Sequence, residues 1–232
     1  MKVKIFADGA DLGHIRTLAQ DNSISGFTTN PTLMKQAGIE DYEKFAREAI
    51  EIVSPRPLSL EVFSDEFDEM KIQALKIAGW GSNVYVKIPI TNTKGESSLP
   101  LVADLTQAGV KVNVTAVFTI QQIDETAKAL QGTQGSNISV FAGRIADAGV
   151  DPIPFMRHAV AKASEVGNCE VIWASPREVL NVVQADEVGC HIITVTPDIL
   201  KKRASIGKDL NVFSLETVQM FFNDASAAGY TI

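Results

Sequence analysis

Lys87 lies inside Val84-Tyr85-Val86-Lys87-Ile88-Pro89, a run whose other members suit a buried strand. A lysine there must either reach water or be buried with partners. An amine attacks a carbonyl in its neutral form, which burial and a neighbouring cation favour, and the product is a Schiff base. An exposed lysine on an edge strand is the plain alternative. Glu61, within Leu60-Glu61-Val62, and Thr115, at the end of Lys111-Val112-Asn113-Val114-Thr115, belong to the preceding and following strand-like runs. The two would flank Lys87 and could hold a water for proton transfer. Other runs also end in polar groups: Asp8, Thr28-Thr29-Asn30-Pro31, Ser139 followed by Arg144, and Ser175-Pro176-Arg177. Chance would not place polar residues at that position so consistently. Ser175-Pro176-Arg177 is expected to open a helix.

Each of these groups has a structural alternative. Asp8 could cap the first helix. Asn30, before a proline, could close a turn. Arg144 and Arg177 could form surface ion pairs. The hydroxyls of Thr115 and Ser139 could be satisfied by backbone carbonyls.

The elements that would position these side chains recur regularly. Strands are predicted at 3–7, 26–28, 58–62, 84–88, 111–115, 137–141, 170–174 and 191–195. Helical spacing lies between them: Leu12, Ile15, Leu18 and Ala19; Met70, Ala74, Leu75 and Ile77; Ile123, Ala127 and Leu130; Val179, Leu180 and Val183. Start signals are Asp65 with Asp68, Thr119 with Gln122, and Ser175-Pro176 with Glu178. Strand and helix alternating eight times predict an α/β protein with a parallel sheet. A single (β/α)₈ TIM barrel over residues 1–232 is the expected form, with an open doubly wound sheet as the alternative. Residues 214–228, with Leu215, Val218, Met220, Phe221 and Phe222, predict an extra C-terminal helix whose apolar side chains need a partner.

Composition narrows the function. The 232 residues are 45% hydrophobic and 21% charged, with a formal net charge of -7. That balance argues against nucleic acid as a partner. No apolar run approaches the length that spans a bilayer, and the first residues do not resemble a signal peptide. Two cysteines, Cys169 and Cys190, make no disulfide framework, so a cytoplasmic location is expected. The three histidines form no metal motif, and neither GxGxxG nor GxxxxGK[ST] occurs, so neither metal nor cofactor is expected.

Phe6-Ala7-Asp8, Thr28-Thr29-Asn30-Pro31-Thr32, Val86-Lys87-Ile88-Pro89, Phe141-Ala142-Gly143-Arg144-Ile145 and Ala174-Ser175-Pro176-Arg177 together resemble the transaldolase family. The resemblance is greatest to its short branch of small transaldolases and fructose-6-phosphate aldolases, and it covers nearly the whole chain. It implies a metal-free Schiff-base mechanism on a (β/α)₈ barrel. A dihydroxyacetone unit would pass from fructose 6-phosphate or sedoheptulose 7-phosphate to erythrose 4-phosphate or glyceraldehyde 3-phosphate. By that match Lys87 forms the Schiff base and Asp8 takes the C4 hydroxyl proton. Glu61 and Thr115 position the catalytic water. Asn30 and Ser139 bind the dihydroxyacetone hydroxyls, while Arg144, Ser175 and Arg177 bind the phosphate. The aldolase branch tends to carry Gln, Ala and Tyr where this chain has Glu61, Ser139 and Phe141. A phenylalanine cannot activate a hydrolytic water, so transaldolase is favoured over aldolase. A non-catalytic sugar-phosphate-binding barrel is a third reading. The resemblance also implies a homopentamer or homodecamer in which the C-terminal helix packs on a neighbouring subunit. Two departures from the family pattern stand near the site. Gly9-Ala10-Asp11 replaces the usual Ser or Thr after Asp8, so that Asp11 is free to cap the first helix. Pro176 stands where larger aromatics are common.

Overall fold

The computed structural model describes residues 1–231. Eight parallel strands close into a barrel in sequence order: β1 (Lys4–Asp8), β2 (Ile24–Thr28), β3 (Leu58–Glu61), β4 (Val84–Pro89), β5 (Val112–Val117), β6 (Ser136–Val140), β7 (Cys169–Trp173) and β8 (Ile192–Val195). Each predicted strand is present, with ends shifted by a few residues. Pairing of β1 with β8 closes the sheet and excludes the open alternative.

The helices on the outside are α1 (Leu12–Leu18), α2 (Pro31–Gln36), α3 (Tyr42–Val53), α4 (Phe67–Ala78), α5 (Leu99–Gln107), α6 (Ile120–Ala129), α7 (Ala142–Asp147), α8 (Ile153–Val166), α9 (Leu180–Glu187), α10 (Pro197–Lys202) and α11 (Leu210–Ala228). Their starts follow local chemistry. Asp41 accepts from Lys44 N at the head of α3, and Thr119 and Gln122 form a reciprocal capping box on α6. The apolar stripe of α3, Phe45, Ala46, Ala49, Ile50 and Val53, is buried against the sheet.

Two start signals read differently in three dimensions. Asp65 does not cap α4, whose cap position is Glu66. Its carboxylate instead accepts from the backbone N–H and hydroxyl of Thr93, at 2.7 and 2.6 Å, and ties the loop after β3 to the loop after β4. Ser175-Pro176-Arg177 does not open α9, which begins at Leu180. Asn181 Oδ1 accepts from Arg177 N and Glu178 N, at 2.7 and 3.2 Å, and holds these residues as a loop. The C-terminal helix begins at Leu210, four residues before its predicted start.

Side chains alternate along each strand. Leu58, Leu60, Val86, Ile88, Val112 and Val114 face the helices and are fully buried. The inward residues divide by chemistry. Phe6, Ile172 and Ile192 form a small apolar cluster, and Gly26 exists to seat the Phe6 ring: a Cβ there would lie 2.5 Å from it. Nearer the C-terminal ends of the strands the inward positions are polar, and Ser59, Asn113, Asn137, Ser139 and Thr194 are all buried. A barrel places its reactive groups at that end.

Candidate active site

A cavity of about 490 Å³ opens at the C-terminal ends of the strands, and all ten residues singled out in the sequence line it. They arrive from seven strand ends and the segments that follow them. Most of the reactive groups sit within or at the ends of strands, whereas Arg144, Ser175 and Arg177 sit on α7 and on the loop after β7.

Lys87 is at the floor, its side chain 9% exposed. Nζ donates to the Thr29 carbonyl at 2.9 Å and lies 2.9 Å from Glu61 Oε2. Glu61 and Lys87 are direct partners in the β3–β4 register, so pairing of the strands brings the two charges together. An ion pair this deep is held by its geometry, since desolvation offsets much of the attraction. The Tyr42 hydroxyl donates to the Glu61 carbonyl at 3.0 Å and fixes the end of β3. Burial, and then the charge of Glu61, push that phenol well above its ordinary pKa, which keeps it a donor.

Thr115 follows Asn113 on the same inward row of β5. Its hydroxyl is buried without a protein partner, so the backbone-carbonyl alternative is not realised. The Ser139 hydroxyl also avoids the backbone. It donates to Asn113 Oδ1 at 2.7 Å, and Asn113 Nδ2 donates to Ser59 Oγ at 3.0 Å. Asn113 lines the cavity and sits opposite Lys87 in the β4–β5 register, yet it was not among the expected residues. Its signal was available: it stands two positions before Thr115, on the same face of a strand.

Asp8 accepts from Thr28 Oγ1 at 2.7 Å. It does not cap α1, because Asp11 does, accepting from His14 N at 2.6 Å. Burial raises the Asp8 carboxyl above its usual range. Lys87 and the Thr28 hydroxyl work against that rise, and the charge of Glu61 adds to it. Asn30 is the cap of α2, with its Oδ1 taking Leu33 N at 3.0 Å and Pro31 in the first turn. Its amide nitrogen donates to no protein group among the described residues and borders the cavity.

The opposite wall is aromatic and cationic. The Phe141 ring lies 5.7 Å from that of Phe118, and the Arg144 guanidinium sits 5.8 Å from the Phe141 centroid. Arg144 forms no ion pair among the described residues. Arg177 does, forking onto Asp147 with Nε 3.0 Å from Oδ1 and Nη2 against Oδ2. That contact holds the Asp147 carboxyl below its usual range. Arg144 is thus the unpaired cation of this wall and Arg177 a shared one. Ser175 adopts a left-handed backbone, φ +59°, and its carbonyl presses on Gly143, where a Cβ would meet it at 1.6 Å. Ala116, also on the cavity wall, has φ +59° where the β5–β6 pairing breaks. Strand β8 adds Thr194 and, just beyond its end, Thr196, neither foreseen in the sequence. Among the described residues no cluster of three or more histidines, cysteines and carboxylates is placed to hold a metal, and no helix is long and apolar enough to cross a membrane.

Comparison with known proteins gives concordant results. Residues 5–231 match the family model described as transaldolase/fructose-6-phosphate aldolase. "Probable transaldolase 2" of Listeria monocytogenes is 35% identical over 201 residues, 86% of this chain and 88% of that protein. "Probable transaldolase" of Streptococcus agalactiae is 37% identical over 197 residues, 84% and 86% of the two chains. Among solved structures, 2,3-dimethylmalate lyase superposes with a TM-score of 0.55 at 12% identity, covering 99% of this chain and 84% of the other. That last likeness is one of fold.

Proposed function

The chain belongs to the transaldolase/fructose-6-phosphate aldolase family, and from that premise we propose that it is a transaldolase. It moves a dihydroxyacetone unit from a ketose phosphate to an aldose phosphate through a Schiff base on Lys87. The observation that carries this reading is the Lys87–Glu61 pair, 2.9 Å apart on the cavity floor, with Asp8 on the same cavity.

The steps follow from what each side chain can hold. Glu61 takes a proton from the Lys87 ammonium, and the freed lone pair attacks the ketose C2. The carbinolamine hydroxyl leaves as water once it is protonated, with Glu61 as donor and the Thr115 hydroxyl steering the water. The resulting iminium draws electrons from the C3–C4 bond as Asp8 takes the C4 hydroxyl proton. Cleavage releases the aldose phosphate and leaves an enamine on Lys87. An incoming aldehyde reverses the sequence: the enamine carbon attacks it, Asp8 returns its proton, and hydrolysis frees Lys87. Asn30, Ser139 and Asn113 offer donors and acceptors to the dihydroxyacetone hydroxyls. Arg144, Ser175 and Arg177 face the phosphate, with Arg144 making the larger electrostatic contribution because Arg177 already shares its fork with Asp147.

Fructose-6-phosphate aldolase is the second reading. It differs only in the fate of the enamine, which is protonated and released as dihydroxyacetone. Phe141 favours transfer, because it and Phe118 give that wall no hydroxyl with which to activate water. Glyceraldehyde 3-phosphate released from fructose 6-phosphate should therefore require erythrose 4-phosphate in stoichiometric amount. Equal release without the acceptor would establish the aldolase instead. Binding of fructose 6-phosphate with no covalent adduct would leave only a binding barrel.

We further propose that α11 packs against other copies in a cytoplasmic homopentamer or homodecamer. None of its residues is buried in this chain, and Leu210, Phe213, Leu215, Val218, Phe221 and Phe222 are exposed. Covering such side chains favours association at about 25 cal/mol per Å². A chain ending at Asp209 is expected to elute as smaller species on size exclusion, and an unchanged elution volume would refute the packing.

A further inference from the structure

Thr194 takes no part in the steps above, yet it closes a chain of hydroxyls that ends on Asp8. Thr28 Oγ1 lies 2.7 Å from Asp8 Oδ1 and also touches Thr194 Oγ1. Strand register places both contacts: Asp8 is opposite Thr28 across β1–β2, and Phe6 is opposite Thr194 across β1–β8. Each hydroxyl has a single proton to give, and an ionised carboxylate only accepts. The Thr28 proton therefore goes to Asp8. Thr28 can then only accept from Thr194, so the order Thr194 to Thr28 to Asp8 is fixed. Hydrogen bonds running in one direction strengthen one another. Among the described residues no protein donor reaches Asp8 Oδ2.

We propose that Thr194 is a positioning residue acting through Thr28: it keeps Asp8 Oδ1 occupied, so that Oδ2 meets the reacting hydroxyl, and it favours the ionised carboxylate. The proposal rests on the reading of Asp8 as the base. The charged groups facing Asp8 do not replace this function. Lys87 on β4 favours ionisation and Glu61 on β3 opposes it. The adjoining strands β2 and β8 present only the hydroxyls of Thr28 and Thr194. Beside the carboxylate, Asp11 and His14 line a neighbouring cavity that Asp8 also borders. Arg144 and Arg177 stand on the wall of the main cavity, and Asp198 on α10 is exposed. When Asp8 holds the substrate proton on Oδ2, the donation from Thr28 to Oδ1 persists.

Thr194→Val keeps the β-branched shape and removes the hydroxyl. The Asp8 carboxyl carbon, followed by NMR in the free protein, should titrate about half to one pH unit higher than in the wild type. The acidic limb of kcat/KM should move by the same amount, so that the loss reaches roughly three- to tenfold on that limb and shrinks as pH rises. Thr194→Ser should restore both. Thr28→Val should give the larger shift, and adding Thr194→Val to it should change nothing further, since the second residue acts through the first. An unmoved Asp8 titration with equal loss at every pH would overturn the proposal and leave Thr194 a packing residue. A moved titration with an unmoved kinetic limb would instead remove Asp8 as the base while leaving the hydroxyl chain standing.

Discussion

Lys87→Ala is expected to lower turnover on the order of 10⁴-fold or more and to abolish covalent trapping by fructose 6-phosphate with borohydride. The size of the effect follows from the chemistry. Among the described residues no other lysine lines the cavity, so no second amine there can form the iminium that borohydride reduces. Mass spectrometry of the intact protein reads the adduct directly, and peptide mapping should place it on Lys87. Alanine also strips Glu61 of its partner, and an unpaired buried carboxylate is destabilising. Glu61 borders the open cavity, where water can take the place of the ammonium, so the variant should melt lower but fold. A thermal melt and circular dichroism separate loss of chemistry from loss of structure. Adduct retained in a folded Lys87→Ala protein would remove Lys87 from its assigned role.

The second large effect lies away from the reacting atoms. Gly143→Ala adds one methyl group where the Ser175 carbonyl oxygen already stands, at 1.6 Å. The obstacle is backbone, so no rotamer change can relieve it. Either α7 or the loop after β7 must move, at a cost of about 3 kcal/mol or more. The same movement carries either Arg144, on α7, or Ser175 and Arg177, on the loop, out of place. Denaturant unfolding should therefore show a lowered midpoint. Ketose phosphates should lose more affinity than dihydroxyacetone, which has no phosphate to hold. Wild-type stability in Gly143→Ala would mean that the close approach is not a constraint.

These two residues mark how far the sequence could be read. Lys87 was legible because a cation among valines and isoleucines contradicts its surroundings, and the strands around it alternate plainly enough to count to eight. Asn113 shares a strand face with Thr115 and could be read from it, but Thr194 could not, because a lone polar residue in a strand carries no mark of facing a barrel interior until closure defines an inside. Gly143 showed as part of a motif, but its reason is a carbonyl more than thirty residues away. The misread helix start at Ser175-Pro176-Arg177 has a local origin. Its local signals suit a cap, and Asn181, further along, takes the two backbone amides for a loop. Asp65 likewise serves Thr93 in place of its own helix. Local patterns fix which element forms, while a side chain with two competing local and distant partners is decided by tertiary contact. The ten expected site residues share one cavity because most stand at or just beyond strand ends, the one position that the barrel's geometry makes common to all.

The split between strand-borne and loop-borne residues has a consequence for descent. Lys87, Glu61, Asp8 and Thr115 are placed by strand register inside the barrel, so a change at any of them disturbs the contacts of its interior as well as the chemistry. Arg144 and Arg177 are exposed and sit outside the strands, so changes there leave the barrel intact. On the proposed roles, selection acting on sugar preference has a surface on which to work without first dismantling the bond-breaking machinery. Lineages that share this barrel are expected to diverge first at the rim and last at the floor.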